Sequence, residues 1–291
     1  MKEKYISDKS DPQKETKRKY KRKMDKRRKR ALKFFKFLLL TVLIVGTLVL
    51  LALSSLFNIS RIDVSGNNNY TADEVIGVTD LVVGNNWFRT NGLDFKSILL
   101  FRSISAEKSI MEKCHYVKNA SVRLSLPNGV MITLKERVPA AIVPYSETNL
   151  LMDSNGYILD SKNDVSKYKL PQILGLSLDN CELGQAVNAE DKKKVELFNM
   201  VLEEIKKVDN DKVYDSSKAM LKHVNYVDVN DWDNICISLD SRLRVNLGNY
   251  RKVGDYRLSF LREVFFNKLA ETDKGYLDFT TGENPNFIPD K

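Results

Sequence analysis

Two serine–lysine pairs in this 291-residue chain match the spacing of a known catalytic pattern. Ser105 with Lys108, and Ser166 with Lys169, fit the S-x-x-K motif of penicillin-binding proteins, in which the serine is the nucleophile. That active site also needs S-D-N and K-T-G segments, and the sequence contains neither. We therefore interpret both matches as chance and predict that the chain is not an enzyme.

Other spacings that carry chemistry are also missing. The sequence has no G-x-S-x-G, no H-E-x-x-H, no P-loop and no paired-glycine nucleotide motif. Asp153 and Asp160 flank a hairpin turn, where aspartate is common for conformational reasons. A glycosidase needs two carboxylates a few ångströms apart in a cleft, a geometry that sequence leaves open. A cell-wall hydrolase or transpeptidase accessory therefore stands as the alternative function.

Metal and redox sites are not indicated either. His115 and His223 have no second ligand at helical spacing, so we predict no metal and no cofactor. Cys114, Cys181 and Cys236 are widely spaced and form no C-x-x-C pair. We interpret them as small buried apolar residues, and one disulfide plus a spare thiol remains possible.

A long apolar stretch precedes all of these residues. Residues 37–57 contain 21 amino acids without a charge, nine of them leucine. A helix of that length covers about 30 Å, the thickness of a bilayer's hydrocarbon core. The sequence therefore predicts a transmembrane helix, and its position after 36 residues favours an uncleaved anchor over a signal peptide.

The net charge of +9 divides unequally about this stretch. Residues 1–36 carry 17 basic and 5 acidic residues, whereas residues 37–291 carry 30 basic and 33 acidic residues. Basic residues beside a span hold that end in the cytoplasm and attract anionic lipid. We predict a disordered or frayed basic arm that contacts anionic lipid, in preference to an RNA- or DNA-binding arm. The slightly acidic remainder argues against nucleic-acid binding there.

The residues after the span predict a small α+β domain. Ile62 and Val64 alternate with polar residues, Thr71 and Glu74 form a capping box, and a second helix is predicted over residues 106–113 with Ser105 at its start. Alternating apolar residues then predict a hairpin about residues 127–129. The predicted order is β-α-α-β-β.

That order resembles the POTRA (polypeptide-transport-associated) domain, and several strings are similar to the FtsQ/DivIB family of bacterial cell-division proteins. These strings are Ile62–Asn67, Tyr116–Val122, Leu126–Val130 and Lys135–Ala141. The resemblance implies an α+β chain with one transmembrane helix, an extracytoplasmic POTRA domain, and a second mixed β-sheet domain with helices. The predicted parts are a basic cytoplasmic arm (1–36), the transmembrane helix (37–57), the POTRA domain (58–138), the β domain (139–282) and a C-terminal tail (283–291).

One segment departs from the family pattern. Residues 94–104 form an apolar insertion between the two POTRA helices, longer than the family usually has. It packs under those helices, or it contacts the membrane or a partner.

The second domain shows hairpin, helix and strand patterns in turn. A hairpin is predicted around residues 154–156, and the segment 170–175 is expected to continue it. Asn188 is predicted to cap a helix. Three strands, a final helix reaching Leu269 and a last strand near residues 275–280 follow, and we see no internal repeat.

The last strand is the predicted interaction site. A C-terminal strand at a sheet edge leaves backbone groups unpaired, and such an edge accepts a strand from another protein. The resemblance implies that this edge receives FtsB/DivIC-like and FtsL-like proteins. The residues it assigns to partner binding are Tyr276, Phe279, Thr280, Thr281, Gly282 and Phe287.

We therefore predict a non-catalytic, single-pass scaffold of the bacterial divisome at the division septum. Its N-terminus is cytoplasmic, its folded domains are extracytoplasmic, and it assembles and regulates septal peptidoglycan synthesis without binding a small-molecule substrate. Besides the enzyme alternative, a POTRA-bearing export component would require tandem POTRA units or a following barrel, and the sequence indicates neither.

Overall fold

The computed structural model describes residues 12–92, 95–179, 181–211, 218–281 and 284–290. Its first helix, α1 (Pro12–Ala52), runs without a break from the basic arm into the apolar stretch. The described part of the arm is therefore regular helix, where a disordered or frayed arm was predicted. Within α1, Lys26–Ala52 is long and apolar enough to cross a membrane by length and composition.

The regular helix ends before the predicted end of the span. Residues Ser55–Phe57 form a separate short 3-10 helix. The side chain of Asn86 donates to the carbonyls of Ala52 (3.0 Å) and Ser54 (2.9 Å), which takes up carbonyls that the helix end leaves free. Phe57 packs edge-on against Phe88, with ring centroids 5.1 Å apart, so it belongs to the folded domain that follows.

That domain has the predicted β-α-α-β-β order with two short helices added. Its elements are β1 (Arg61–Ser65), α2 (Ala72–Gly77), α3 (Trp87–Thr90), α4 (Phe95–Leu100), α5 (Ile104–Lys113), β2 (Val117–Ser125) and β3 (Gly129–Glu136). The sheet order is β1-β3-β2, with β1 parallel to β3 and β2 antiparallel to it. The capping box of Thr71 and Glu74 is present at α2. The predicted α+β fold class is confirmed.

Helix α5 begins earlier than predicted. Ser103, and not Ser105, is its N-cap, because the Ser103 hydroxyl accepts a hydrogen bond from Ala106 N. The segment just before it, residues 101–103, is bound to the outer edge of β2 through Leu124 N to Phe101 O and Ser103 N to Val122 O. The apolar insertion therefore ends in an ordered connection along the sheet.

The second domain is built on one nine-stranded sheet. Its elements are β4 (Pro139–Tyr145), β5 (Thr148–Asp153), β6 (Ile158–Lys162), β7 (Gln172–Leu174), α6 (Ala189–Asp209), β8 (Val224–Asp228), β9 (Ile235–Leu239), β10 (Leu243–Gly248), α7 (Asp255–Glu263), β11 (Gly275–Asp278) and β12 (Asn286–Pro289). The strand order is β12-β11-β10-β9-β8-β7-β4-β5-β6. Helices α6 and α7 share the apolar core with this sheet.

Of three local predictions for this domain, the structure agrees with one and differs from two. Asn188 caps α6, as predicted, by accepting from Glu190 N and Asp191 N. The segment 170–175 does not continue the β5–β6 hairpin, because β7 pairs in parallel with β4 and β8 and joins the two halves of the sheet. The final helix ends at Glu263 and gives way to a π-helical turn, Val264–Lys268.

The two domains share a small apolar junction. Tyr116, directly before β2, is buried with Ile142, Leu151 and Leu159 of the second sheet. The Tyr70 hydroxyl accepts a hydrogen bond from Tyr116 N, and the two rings meet edge to face at 6.1 Å.

Candidate partner-binding edge

The predicted edge strand is not at the edge of the sheet. Strand β11 pairs in parallel with β10 on one side and antiparallel with β12 on the other. The prediction that residues 275–280 carry unpaired backbone groups is therefore wrong. Residues Asn286–Pro289 of the predicted tail return as β12 and cover that side, so β12 is the outermost strand at this end of the sheet.

The outer side of β12 presents an irregular row of backbone groups. Asp290 N donates to Lys274 O at 2.9 Å, and Ile288 lies opposite Tyr276. Asp290 thus directs its backbone N–H to β11, and every second residue along an antiparallel ladder does the same. Ile288 therefore also directs its backbone groups to β11, whereas Phe287 and Pro289 direct theirs outward. Proline has no N–H. Within β12, the outward groups are therefore the N–H and C=O of Phe287 and the C=O of Pro289.

Phe279 is a core residue. Its side chain is 3% exposed and meets Phe260 edge to face, with ring centroids 6.0 Å apart. The guanidinium of Arg257 lies 5.9 Å from the centre of the Phe279 ring. The Phe279 side chain is therefore enclosed in this structure, and its assignment to a partner contact stays a prediction.

The two threonines lie in the turn that follows β11. Thr280 donates through its backbone N (2.8 Å) and its hydroxyl (2.7 Å) to Asp278 Oδ1. The Thr281 hydroxyl accepts from Asn286 Nδ2 at 3.1 Å. These bonds shape the turn that brings β12 back against β11. Gly282, the remaining residue predicted in this turn, lies outside the described residues.

Phe287 covers a glycine. A side chain at Gly275 would place its Cβ 2.7 Å from Phe287 Cε2 and 2.5 Å from Ile288 O. Gly275 therefore lets β12 approach closely, and the Phe287 ring replaces the missing side chain. This face of Phe287 belongs to the core side of the sheet, because Phe287 lies opposite the buried Leu277.

The opposite face of the hairpin is open. Arg244, Tyr276 and Ile288 lie side by side on β10, β11 and β12. Ile288 is 57% exposed, and Arg244 Nη2 bonds Asp290 Oδ1 at 2.9 Å across the row. Of the residues on this face, the prediction from sequence included Tyr276 and omitted Ile288, Arg244 and Asp290. The sequence of β12 has only four residues and ends in a proline, so it is a weak signal for a strand. Nothing in these four residues indicates that they pair with β11.

Four of the residues considered for catalysis are engaged in structural contacts. Lys108 pairs with Glu112 at 3.6 Å, and Ser105 Oγ lies 3.4 Å from Ser103 Oγ. Asp153 bonds Arg137, and Asp160 bonds Lys162. All three cysteines are free thiols. Among the described residues, no group of three or more His, Cys, Asp or Glu side chains is arranged to hold a metal ion.

Comparison with known proteins finds a domain family that matches the first domain and curated relatives that are similar to most of the chain. The family described as "POTRA domain, FtsQ-type" matches residues 57–137. The cell division protein DivIB of Clostridium acetobutylicum is 27% identical over 79% of this chain and 82% of its own length. DivIB of Clostridium botulinum (strain Hall) is 24% identical over 92% of this chain and 95% of its own length.

The extracytoplasmic domain of the division protein DivIB from Geobacillus stearothermophilus, a solved structure, aligns with a TM-score of 0.27 and 14% identity, over 47% of this chain and 99% of that domain. The domain match and the DivIB relatives agree with each other. An FtsQ-type POTRA domain lies directly after the apolar helix of this chain, and most of the chain is similar to the cell-division proteins named DivIB.

Proposed function

We propose that this protein is a non-catalytic, single-pass scaffold of the divisome whose outer domains bind FtsB/DivIC-like and FtsL-like proteins. In this role it assembles and regulates septal peptidoglycan synthesis at the division septum. The observation that carries the proposal is the exposed outer side of β12, at the end of a nine-stranded sheet.

Strand addition suits this edge in two ways. The outward N–H and C=O of Phe287 can bond a partner backbone, and the outward C=O of Pro289 can accept one further bond. The exposed Ile288 and half-buried Tyr276 offer apolar surface on the open face, beside the Arg244–Asp290 pair. Since Pro289 has no donor, it limits the registers in which a foreign strand can pair.

The topology in this proposal follows the charges around α1. Lys26, Arg27, Arg28, Lys29 and Arg30 are exposed on the helix before its apolar part, so we place that end in the cytoplasm against anionic lipid. The folded domains then lie outside. Anchoring this protein and its single-span partners in one membrane raises their effective concentration toward each other.

A pair of variants at one position tests strand addition. Phe287→Pro and Phe287→Leu both remove the aromatic ring, but only the proline removes the outward N–H. Full-length protein in detergent would be assayed for capture of the DivIC-like partner from the same cell. One lost backbone hydrogen bond is worth about 0.5–1.5 kcal/mol, so we expect capture by the proline variant to fall about two- to tenfold below that of the leucine variant.

Equal capture by the two variants would contradict strand addition through β12. Failure of the unmodified protein to bind either the DivIC-like or the FtsL-like partner would contradict the scaffold function itself. Turnover of peptidoglycan by the purified protein would favour the hydrolase or transpeptidase alternative.

A further inference from the structure

Six exposed apolar residues gather at one end of the POTRA domain. They range from 39% to 64% exposed, and we call them the proximal patch: Val82, Val83, Leu99, Leu100, Phe101 and Leu126. Scattered apolar residues on a surface need no explanation, but a cluster of them indicates a surface that something else covers. The role proposed above for the β12 edge makes no use of this patch.

Hydrogen bonds join two of the three segments of the patch to the region where α1 ends. Gly84 N donates to Ile59 O at 2.7 Å, which holds Val82 and Val83 beside the first residues after the helix. Ser60 N donates to Asn128 O at 2.8 Å, which brings the hairpin tip carrying Leu126 to the same place.

Aromatic contacts complete this connection. Phe88 lies between Phe57 and Phe101, with ring centroids 5.1 Å and 6.3 Å apart. The strand register places the same strand ends together. Gly129 at the start of β3 lies opposite Arg61 at the start of β1 and opposite Ser125 at the end of β2. All parts of the proximal patch therefore lie at the end of the domain nearest to α1.

The length of the apolar helix points to what covers the patch. The uncharged part of α1, from Phe37 to Ala52, has 16 residues. At about 1.5 Å per residue it covers about 24 Å, some 6 Å less than a hydrocarbon core of about 30 Å. A short span draws its flanking residues into the membrane interface or thins the bilayer. The flanking residues here are Leu53 to Phe57 and, joined to them, the proximal patch.

Basic side chains flank this surface. Arg89 is exposed and lines a cleft with Leu53 and Ser55 at the end of the helix, and Lys96 is exposed on α4. Apolar side chains directed into the acyl boundary, with basic groups at their rim, are typical of surfaces that lie in a membrane interface.

We propose that the proximal patch is inserted in the outer interface of the bilayer, so that the POTRA domain is docked on the membrane and not held away from it on a free tether. This inference rests on the membrane topology proposed above. It gives the apolar insertion that contains α4 a role as a membrane contact. It also fixes the height and direction at which the β domain is presented to partners.

Tryptophan probes in the full-length protein test this docking. Leu99→Trp and Leu126→Trp place probes in the patch, and Leu48→Trp places one within the span. Val138→Trp is the matched control, because Val138 is 77% exposed and follows β3 at the end of the domain farther from α1. Each variant would be reconstituted in nanodiscs of phosphatidylcholine and phosphatidylglycerol, with and without bromine on the acyl chains. The signal of the unmodified protein, with Trp87 and Trp232, is subtracted.

We expect the probes at positions 99 and 126 to lose about half of their emission in brominated lipid, because interfacial side chains reach about 5–10 Å into the acyl boundary. The probe at position 138 should retain its emission. Quenching at position 48 without quenching at 99 and 126 would overturn the docking and leave the span intact. Quenching at none of the four would overturn the span and the docking together.

A protein occupant would give a different result. Blue-shifted emission at positions 99 and 126 without quenching by bromine would mean that a partner or a second copy covers the patch, and this would also overturn the proposal. As a second variant, Leu99→Glu combined with Leu100→Glu should abolish most of the quenching at position 126, while thermal unfolding stays unchanged because both residues are exposed.

Discussion

Arg137 Nη1 donates to Asp153 Oδ2 at 2.8 Å across the junction of the two domains, where the side chains are only 14% and 5% exposed. The Arg137 guanidinium also lies 3.6 Å from the centre of the Tyr157 ring. The other carboxylate oxygen of Asp153 accepts from Asn155 N and Tyr157 N. Arg137, the residue directly after β3, is thereby fixed to the turn between β5 and β6. This contact adds a polar link to the apolar junction between the two domains.

Replacement of Arg137 by methionine should loosen this junction. Removal of one partner of a buried ion pair leaves the other charge uncompensated, and we expect a loss of about 3–5 kcal/mol in the free energy of unfolding. Urea unfolding of the full-length protein in detergent measures the loss. Arg61→Met is the matched control, since the Arg61–Asp63 pair is exposed and such pairs are worth about 0–1 kcal/mol. Equal losses in the two variants would contradict a special role for Arg137.

Gly275→Ala should detach β12. The added methyl group would meet Ile288 O and the Phe287 ring at less than 3 Å, and overpacking of this kind costs about 1–3 kcal/mol. Amide hydrogen exchange should accelerate at Ile288 while the centre of β10 stays protected. Gly77→Ala is the control, because nothing lies within 4 Å of a Cβ there. Unchanged exchange at Ile288 would mean that the close approach of β12 is not needed for its pairing.

Asp191 should make the free energy of unfolding depend on pH in the acid range. Burial raises the pKa of its carboxyl, but hydrogen bonds from Ser177 N, Leu178 N and the Ser177 hydroxyl outweigh burial and hold the pKa below the ordinary value of 3.8. A depressed folded-state pKa means that Asp191 stabilises the protein fully above the unfolded-state pKa of about 3.9. That contribution is lost as the pH falls from about 4 through the folded-state pKa.

Unfolding measured between neutral pH and acid should therefore show a loss of stability below about pH 4 that Asp191→Asn reduces. The asparagine variant should also be less stable at neutral pH by about 1–3 kcal/mol, because buried donors lose a charged acceptor. An unchanged acid profile in this variant would assign the pH dependence to other carboxylates.

Substitution of Phe279 should mainly lower stability, whereas substitution of Ile288 should mainly weaken partner binding. Phe279→Ala removes a buried ring and should lower the free energy of unfolding by about 3–5 kcal/mol. Ile288→Ala changes an exposed side chain and should alter stability by about 0.5 kcal/mol or less. Capture of the DivIC-like partner should weaken in the Ile288 variant although its fold is intact. Full capture by that variant would exclude the open face of β12 from the interface.

Several features were determined by the sequence alone because each depends on near neighbours. The uncharged stretch before Ala52, the capping box of Thr71 and Glu74, the Asn188 cap and the alternation in β2 and β3 all reflect local backbone geometry and local hydrogen bonds. These patterns were sufficient for the fold class and for the family resemblance. The sequence also lacks the S-D-N and K-T-G segments that accompany an S-x-x-K site.

The position of the candidate site was decided by tertiary structure. Whether β11 is an edge depends on β12, whose four residues carry little signal until Phe287 packs over Gly275. Pairing of distant segments is settled by which surfaces bury each other, and an isolated strand of this length has no stability of its own. For the same reason β7 lies between β4 and β8, and three separate segments form the proximal patch. Local pattern decides what an element is, and long-range packing decides which of its sides remains exposed.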